Sequence, residues 1–420
     1  MISIPPSTPS TGMQGPGASH VVGARLHGLD LLRGIAMVLG VVLHSAVPYT
    51  RWDIPWLYRV ATSNPTCDLI LVAIHSFRMP LFFLLAGFFA RLQEQRLGPT
   101  PFLRQRLIRI GLPFAAGMVT LVPAMAFMVL RDTADLDAFR RAHHIPIPAH
   151  ETASIPITGF PTFHLWFLEV VLLFCLLGWG WTTLSGGRAL CPQRVDRILG
   201  WGLRSIWPVA FLAGSSVIWF EGSRPGDGVS FLQYSTVTPG GRILGFSFSF
   251  FAMGWWLHRN TSAVRDLGVH WQPMLAVGAA SLVVLLGLRL QMFRNGMQAG
   301  RIEDVVGLAA EGMAAWFLSL GLFAWGLQAL PEPPRWTRHF VDSSYWIYLI
   351  HLPLVFGIQL VIRNWPIPIA AKFLVCLGVS IGIGLLTYNV FVRTTWVGWV
   401  LNGHRISRPP QTFPKILPHA

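Results

Sequence analysis

Charged residues are scarce in this chain. Only 12% of its 420 residues are Asp, Glu, Lys or Arg, whereas a typical soluble domain carries about 25%. This argues against a set of soluble domains. Hydrophobic residues make up 53% of the chain, and the mean hydropathy is +0.52. The composition therefore predicts an all-α, polytopic integral membrane protein that lies in a lipid bilayer.

Cysteine is also sparse, and its spacing gives no metal or redox motif. The four cysteines are scattered along the chain: Cys67, Cys175, Cys191 and Cys376. We expect them to be structural and free. His143, His144 and His150 lie close in sequence, but adjacent residues diverge on a helix and no Cys or His-x-x-x-His pattern accompanies them. We expect no metal ligands here and no permanently bound cofactor.

The N-terminal segment lacks the pattern of a signal peptide. It is rich in Pro, Ser and Gly and shows no basic, apolar and cleavable sequence. We therefore expect a disordered cytoplasmic tail over residues 1–24, with the first span as the targeting signal. The membrane domain is predicted over residues 25–395, and a second cytoplasmic tail over residues 396–420.

Ten apolar stretches are long enough to cross a membrane, since a spanning helix needs about 20 mostly apolar residues. The predicted spans are 29–49, 68–90, 107–130, 162–183, 203–220, 239–257, 272–290, 303–329, 341–361 and 367–392. Pro, Gly or charge clusters bound each of them. Two aromatic runs, FSFSFFAMGWW (246–256) and YWIY (345–348), are expected to face lipid or to form an interfacial belt.

Basic residues are distributed asymmetrically about these spans. With the N-terminus in the cytoplasm, the inner segments hold 18 Lys and Arg residues and the outer segments hold 10. Because cytoplasmic loops carry the excess of basic residues, we predict that both termini are cytoplasmic. The location is then the bacterial inner (cytoplasmic) membrane. The asymmetry also explains the net charge of +14, and we expect no nucleic acid partner because no folded basic domain exists to bind one.

Six ionisable side chains lie within the predicted spans at one depth, in the outer leaflet. Such groups cost about 2.5–3.5 kcal/mol each on insertion scales and usually face a bundle interior or a wet cavity. Four separate spans supply them: His44, His75, Arg78, His164, Glu169 and His351. Equal depth does not establish contact, because the spans can lie far apart laterally.

These residues have structural as well as functional interpretations. His164 lies at a membrane boundary, where a histidine is often only interfacial. Arg78 cannot lose its charge, so it needs an anion or a wet cavity. It either pairs with Glu169 or stabilises negative charge on a substrate. Glu311, in the middle of another span, is equally costly and is expected to pair with an arginine.

Several short motifs occur in a fixed order along the spans. They are Arg33-x10-His44, FFLLAGFFA (82–90), Arg106-x-x-Arg109, HLWFL (164–168) and SSYWIYLIHLPLV (343–355). Together they resemble the motifs of membrane acyltransferase family 3, and the resemblance covers residues 29–392. Ala86 stands where that family has a serine, so no hydroxyl role is transferred to this position. One branch of the family includes a succinyltransferase of periplasmic glucans.

The resemblance implies an O-acyltransferase that moves a succinyl or acetyl group from cytoplasmic acyl-CoA, its co-substrate, to hydroxyl groups of an extracytoplasmic carbohydrate, a glycan. His44 is then the expected general base, because histidine titrates near neutral pH. Arg78 and Glu169 are the other expected catalytic residues. Arginine binds phosphate groups such as those of coenzyme A well. The cytoplasmic part of the expected substrate site therefore consists of arginines. The expected substrate-binding residues are Arg33, Arg106, Arg109, His75, His164 and His351.

Two other classes of protein share part of this pattern. Buried His, Arg and Glu also mark the paths of secondary transporters, whether proton-coupled or glycan-exporting. Many transporters contain inverted repeats, and this sequence shows none. A sensor or scaffold gives no reason for costly buried charges. The acyltransferase interpretation is favoured because Arg33 and His44 lie about 16 Å apart along one helix, a length that an extended pantetheine arm spans.

Overall fold

The computed structural model describes residues 17–51, 56, 63–142, 161–186, 200, 209–210, 213–214, 240–295, 300–328 and 335–403. Within this part of the chain the regular structure is helical and no β-strand occurs. In chain order the helices are α1 Gly17–Ala46, α2 Pro65–Leu97, α3 Pro99–Arg106, α4 Leu112–Ala142, α5 Trp166–Leu184, α6 Gly241–Arg259, α7 Thr261–Val269, α8 Trp271–Arg294, α9 Arg301–Gln328, α10 Arg335–Ile362, α11 Ile369–Thr387 and α12 Trp396–Asn402. Helix α1 begins at Gly17, inside the segment predicted to be a tail.

Eight helical segments among the described residues are long and apolar enough to cross a membrane. They are His27–Tyr49, Pro65–Leu97, Pro99–Arg131, Phe163–Leu184, Trp271–Arg294, Ile302–Gln328, Thr337–Ile362 and Ile369–Val392. Each corresponds to a predicted span, so the all-α, polytopic membrane fold is confirmed. The span predicted at 239–257 is the helix α6, which does not belong to the eight. The span predicted at 203–220 lies mostly outside the described residues, and the number ten stays a prediction.

The two aromatic runs do not form a lipid-facing belt, and that prediction was wrong. Phe251 and Trp255 are 2% and 5% exposed, and Tyr348 is 8% exposed. The first run, 246–256, is buried because α6 and α2 cross closely. A Cβ atom at Gly87 would overlap the carbonyl oxygen of Phe251, and one at Gly254 would overlap the backbone of α2. Because glycine lets the two backbones touch, the neighbouring aromatic rings fill the space on both sides of the contact.

The centre of the bundle contains α1, which contacts α2, α9 and α10. Helices α4, α8 and α11 carry apolar side chains on the outer surface, where Val119, Val283 and Leu374 are more than half exposed. Such a surface suits contact with lipid. The polar residues of the spans are therefore expected between the central helices, and the next section describes them there.

The cysteine prediction is confirmed where the structure describes the residue. Cys67, Cys175 and Cys376 are buried and free. Cys191 lies outside the described residues, as do the three neighbouring histidines at 143, 144 and 150.

Candidate active site

Three histidines from three segments meet at one end of α1. His44 lies in the last turn of α1, His164 in the 3-10 turn Phe163–Leu165 before α5, and His351 in α10. The ring centroids of His44 and His351 are 5.3 Å apart, and those of His164 and His351 are 5.0 Å apart. We call these three residues the histidine cluster. Residues predicted to share only a depth are thus also neighbours.

The backbone of α10 holds His164. Pro353 has no N–H group, so it cannot donate to the carbonyl of Leu349 four residues earlier. Nε2 of His164 donates to this carbonyl at 2.9 Å, and the Tyr348 hydroxyl donates to the His164 carbonyl at 2.7 Å. Because a carbonyl only accepts, Nε2 carries the proton and Nδ1 is an acceptor. In the described part of the chain, Nδ1 has no hydrogen-bond partner.

His351 is held in a comparable way. Its Nδ1 lies 2.5 Å from the carbonyl oxygen of Tyr348 and donates to it. Nε2 is then the acceptor nitrogen of the ring, and no described residue forms a hydrogen bond with it. His164 and His351 therefore each have one N–H held by a carbonyl and one ring nitrogen without a hydrogen-bond partner among the described residues.

His44 is held by stacking rather than by a hydrogen bond to its ring. Its imidazole is parallel to Trp56 within 8°, with centroids 5.5 Å apart. Trp56 donates from Nε1 to Oε1 of Gln359 at 2.8 Å, and Nε2 of Gln359 donates to the His44 carbonyl at 3.1 Å. Among the described residues, Nδ1 of His44 has no partner. The ring is oriented by Trp56 and Gln359, while its Nδ1 stays available to a ligand.

Arg78 reaches this site from α2. Its guanidinium lies against Gly40, where an added Cβ atom would overlap Nη1 of Arg78 and lie 3.9 Å from Nε2 of His351. The one described polar contact of the guanidinium is weak, a 3.5 Å approach of Nη2 to the sulfur of Met79. His75, one helical turn earlier on α2, is buried and lies within electrostatic reach of Arg78.

The two carboxylates discussed in the sequence analysis have different surroundings. Glu311 on α9 pairs with Arg289 on α8 at 3.7 Å, which confirms that prediction. Glu169 on α5 is half-buried, and its Oε2 has no hydrogen-bond partner in the described residues. No ion pair joins Glu169 to Arg78 within this part of the chain. Among the described residues, no ion pair therefore links Glu169 to Arg78 or to the histidine cluster.

Three arginines meet toward the other end of the apolar span His27–Tyr49, away from the histidine cluster. Arg33 lies on α1, Arg106 ends α3, and Arg109 lies in the π-helical turn Leu107–Gly111 that joins α3 to α4. Their guanidinium groups are close enough to interact electrostatically. Arg33 pairs with Asp30 at 3.2 Å, whereas Arg106 and Arg109 have no described carboxylate partner. We call Arg33, Arg106 and Arg109 the arginine cluster.

A row of polar side chains on α10 links the two clusters. Tyr345, Tyr348 and His351 repeat every three residues and so share one face of the helix. The ring centroids of the two tyrosines are 6.3 Å apart, and those of Tyr348 and His351 are 5.9 Å apart. The Tyr345 hydroxyl donates to the Arg109 carbonyl at 2.8 Å. We call these three residues the polar row.

Sequence reasoning missed the tyrosines of this row, because it assigned the YWIY run to lipid. The spacing of Tyr345 and Tyr348 with His351 is the signal that predicts a shared face. Gly40, Trp56 and Gln359 were missed for another reason. A glycine and two side chains that orient their neighbours carry no chemical signature in the sequence.

Comparison with known proteins adds a second line of evidence. The sequence profile of acyltransferase family 3, which is described as an acyltransferase domain, matches residues 26–389. Proteins named glucans biosynthesis protein C from Salmonella paratyphi A, Salmonella agona and Salmonella dublin are 24% identical over 413 residues. The match covers 93% of this chain and 97% of each relative. No solved structure matches the chain.

Proposed function

Because the chain belongs to membrane acyltransferase family 3, we propose that it is an O-acyltransferase that acts across a bacterial inner membrane. It moves an acyl group, succinyl or acetyl, from cytoplasmic acyl-CoA to hydroxyl groups of an extracytoplasmic glycan. Acyl transfer and a multi-pass membrane location follow from the family and the apolar helices. The donor, the acceptor and the direction of transfer are the proposal.

One observation carries this proposal. The arginine cluster and the histidine cluster lie toward opposite ends of the apolar span His27–Tyr49, and the polar row on α10 connects them. A transferase with its donor on one side of a membrane and its acceptor on the other needs this separation. A phosphate-binding group must lie on the donor side and a proton acceptor on the acceptor side.

The arginine cluster suits the phosphates of coenzyme A. Arg106 and Arg109 carry charges that no described carboxylate neutralises, and arginine binds phosphate oxygens with paired, charge-assisted hydrogen bonds. The pantetheine arm then covers the helical rise of about 16 Å between Arg33 and His44 and passes the polar row on the way. Acyl-CoA acts as a co-substrate in this scheme, and no cofactor stays bound.

The histidine cluster suits the acyl transfer itself. His44 removes the proton of the acceptor hydroxyl while the hydroxyl oxygen bonds to the thioester carbonyl carbon. The carbon–sulfur bond then breaks, and the coenzyme A thiolate leaves with the proton from His44. We assign the base to His44 because it belongs to the Arg33-x10-His44 motif and no hydrogen bond to a described residue occupies its Nδ1. His164 and His351 line the site with fixed acceptor nitrogens.

The relatives support a glucan-like acceptor, since their name refers to the biosynthesis of glucans. That name belongs to them, and for this chain a glycan acceptor is part of the proposal. The costly polar groups face the site rather than lipid, which fits a large, hydroxyl-rich acceptor entering from the histidine side.

Mass spectrometry of cell-envelope glycans tests the proposed function. We expect an acyl mass that is present in cells with the gene, absent without it, and restored by the wild-type gene but not by His44→Ala. The size of the mass difference identifies the acyl group. Unchanged glycans together with altered solute accumulation would overturn the proposal and indicate a transporter instead.

A further inference from the structure

Arg78 has no counter-charge among the described residues. It forms no ion pair with Glu169 or with any other described carboxylate, and Nε has no hydrogen-bond partner there. His44, His75, His351 and Tyr348 are the described titratable groups within electrostatic reach of it, and none of them is a carboxylate. A guanidinium that cannot lose its proton is costly at this depth unless an anion or water reaches it. The site therefore has a fixed positive charge that nothing described in the chain neutralises.

Gly40 is the reason that this charge can lie at the reaction site. The guanidinium occupies the space that any side chain at position 40 would fill. Gly40 lies one helical turn before His44, about 6 Å along α1. A Cβ atom there would displace the far end of Arg78, which is flexible, and would touch no backbone atom within 4 Å. Residue 40 thus controls whether the guanidinium reaches the level of His351.

We propose that Gly40 and Arg78 form a subsite for the terminal carboxylate of the acyl group, so that the enzyme selects donors whose acyl chain carries a second, free carboxylate. This inference rests on the proposed acyl transfer. The guanidinium presents a planar pair of donors that matches a carboxylate. An oxyanion on the thioester carbonyl exists only during the reaction, whereas a terminal carboxylate neutralises Arg78 for as long as the donor is bound.

The length of the acyl chain fits this arrangement. The reacting carbonyl must lie near His44, and Arg78 lies one turn away against Gly40. A short chain such as succinyl bridges this gap, while acetyl has no group that reaches the guanidinium. Gly40 is a positioning residue in this scheme, since it acts through Arg78 and does not touch the reacting atoms.

The test compares two donors on the purified, full-length protein in lipid nanodiscs. Transfer from succinyl-CoA and from acetyl-CoA is measured on the glycan fraction of cells that lack the gene. We expect the wild type to prefer succinyl-CoA, and Gly40→Ala to lower the ratio of the two kcat/KM values by about tenfold or more. Transfer from acetyl-CoA should change little. Gly357→Ala, in α10 where an added Cβ meets nothing within 4 Å, is the matched control and should behave as the wild type.

Three results would overturn the inference. A wild type that uses both donors equally removes the selectivity but leaves acyl transfer intact. A Gly40→Ala protein that loses both activities in proportion assigns Arg78 to the carbonyl oxyanion instead. An unchanged ratio in both Gly40→Ala and Arg78→Gln removes the subsite. Failure of the proposed function looks different, because the wild type would then transfer neither group.

Discussion

His44, His164 and His351 differ in how the chain holds them. His164 and His351 each donate to a carbonyl of α10, which fixes the position of one ring N–H. His44 is oriented by Trp56 and is not bound in this way. Each of the three rings keeps one nitrogen without a described hydrogen-bond partner, so the proposal of His44 as the base rests on the Arg33-x10-His44 motif.

Replacing His44 should abolish transfer without unfolding the protein. His44→Ala removes the general base, which typically contributes about 10²–10⁴-fold to the rate. The measurement is acyl transfer by the purified variant together with its thermal stability in detergent. His270→Ala is the control. This histidine lies at the start of α8, and its ring forms a hydrogen bond with the carbonyl of Asp266 in α7. A His44→Ala protein with near-normal transfer would assign the base elsewhere.

Arg78 and Glu169 should behave as independent residues. No described ion pair joins them, so Arg78→Met should be as stable as the wild type while losing transfer from succinyl-CoA. Adding Glu169→Leu should not restore activity, because the two changes act at separate places. Thermal unfolding and transfer assays of both single variants and the double variant give the answer. A double variant that recovers full activity would show that Arg78 serves only as the partner of Glu169.

At the scale of single residues, the sequence was most informative where an ionisable side chain lies in an apolar span, because burying such a group in a membrane is costly. His44, His351 and Arg78 stand out because ionisable groups are rare in spans, and all three meet in the structure. Tyr348 did not stand out, because a tyrosine in an aromatic run is common at membrane interfaces. Gly40 could not be found from its residue type. Its role depends on which side chain from α2 lies opposite, and that depends on how the helices cross.

Helices α8 and α9 carry a buried ion pair that the catalytic scheme does not use. Arg289 and Glu311 are 7% and 4% exposed, and they lie 3.7 Å apart. In an apolar interior such a pair fixes the position of one helix against the other, since each charge needs its partner. The role of this pair is therefore expected to be structural.

Breaking this pair should destabilise the protein, in contrast to Arg78. Arg289→Met leaves Glu311 buried without its partner, and the expected loss is about 3–5 kcal/mol. The double variant Arg289→Met with Glu311→Leu should regain most of this stability. Thermal denaturation in detergent measures both effects. A single variant as stable as the wild type would mean that water or another group already compensates Glu311.

The turn between α3 and α4 brings Arg109 to the C-terminal helix. The π-helical turn at Leu107–Gly111 widens the backbone spiral, and the Tyr345 hydroxyl bonds to the Arg109 carbonyl within it. The guanidinium of Arg109 lies against Gly403, directly after α12, where a Cβ atom would overlap it. Gly403 also has a φ of +82°, which favours glycine. The position of α12 thus helps to set the position of the Arg109 guanidinium in the arginine cluster.

Changes at this end should affect donor affinity more than turnover. Arg106→Ala and Arg109→Ala remove phosphate contacts that lie far from the reacting carbon, so KM for acyl-CoA should rise more than kcat falls. Gly403→Ala should act in the same direction by displacing Arg109. Arg96→Ala, an exposed arginine at the end of α2, is the control. Titration of acyl-CoA decides the matter, and an unchanged KM in all three variants would move the donor site elsewhere.

Whole elements were predicted unevenly from the sequence. Long apolar stretches gave eight spans that the structure contains. Helix α6 was predicted as a span, but the lipid-facing role given to its aromatic residues was wrong. Periodicity reveals a helix but not its neighbours, and the contact of α6 with α2 depends on Gly87 and Gly254. Small residues permit such a crossing, but their presence in an apolar sequence does not reveal which helix lies opposite.

For the whole molecule, the proposed function differs from transport in what crosses the membrane. A transporter carries its whole substrate through a bilayer and must rearrange to do so. In the proposed transfer only the acyl group on its pantetheine arm would cross, passing the polar row, and no alternating access would be needed.

The charge of Arg78 has a consequence for the electrical seal of the cell. Hydroxyl and imidazole groups inside a membrane are a route along which protons leak, and a potential of 100 mV drives each charge with about 2.3 kcal/mol. A fixed guanidinium beside such groups repels hydronium and metal cations, as positive groups do in selective pores. In the proposed transfer across an energised membrane, the charge of Arg78 would therefore also oppose proton leakage past the histidine cluster.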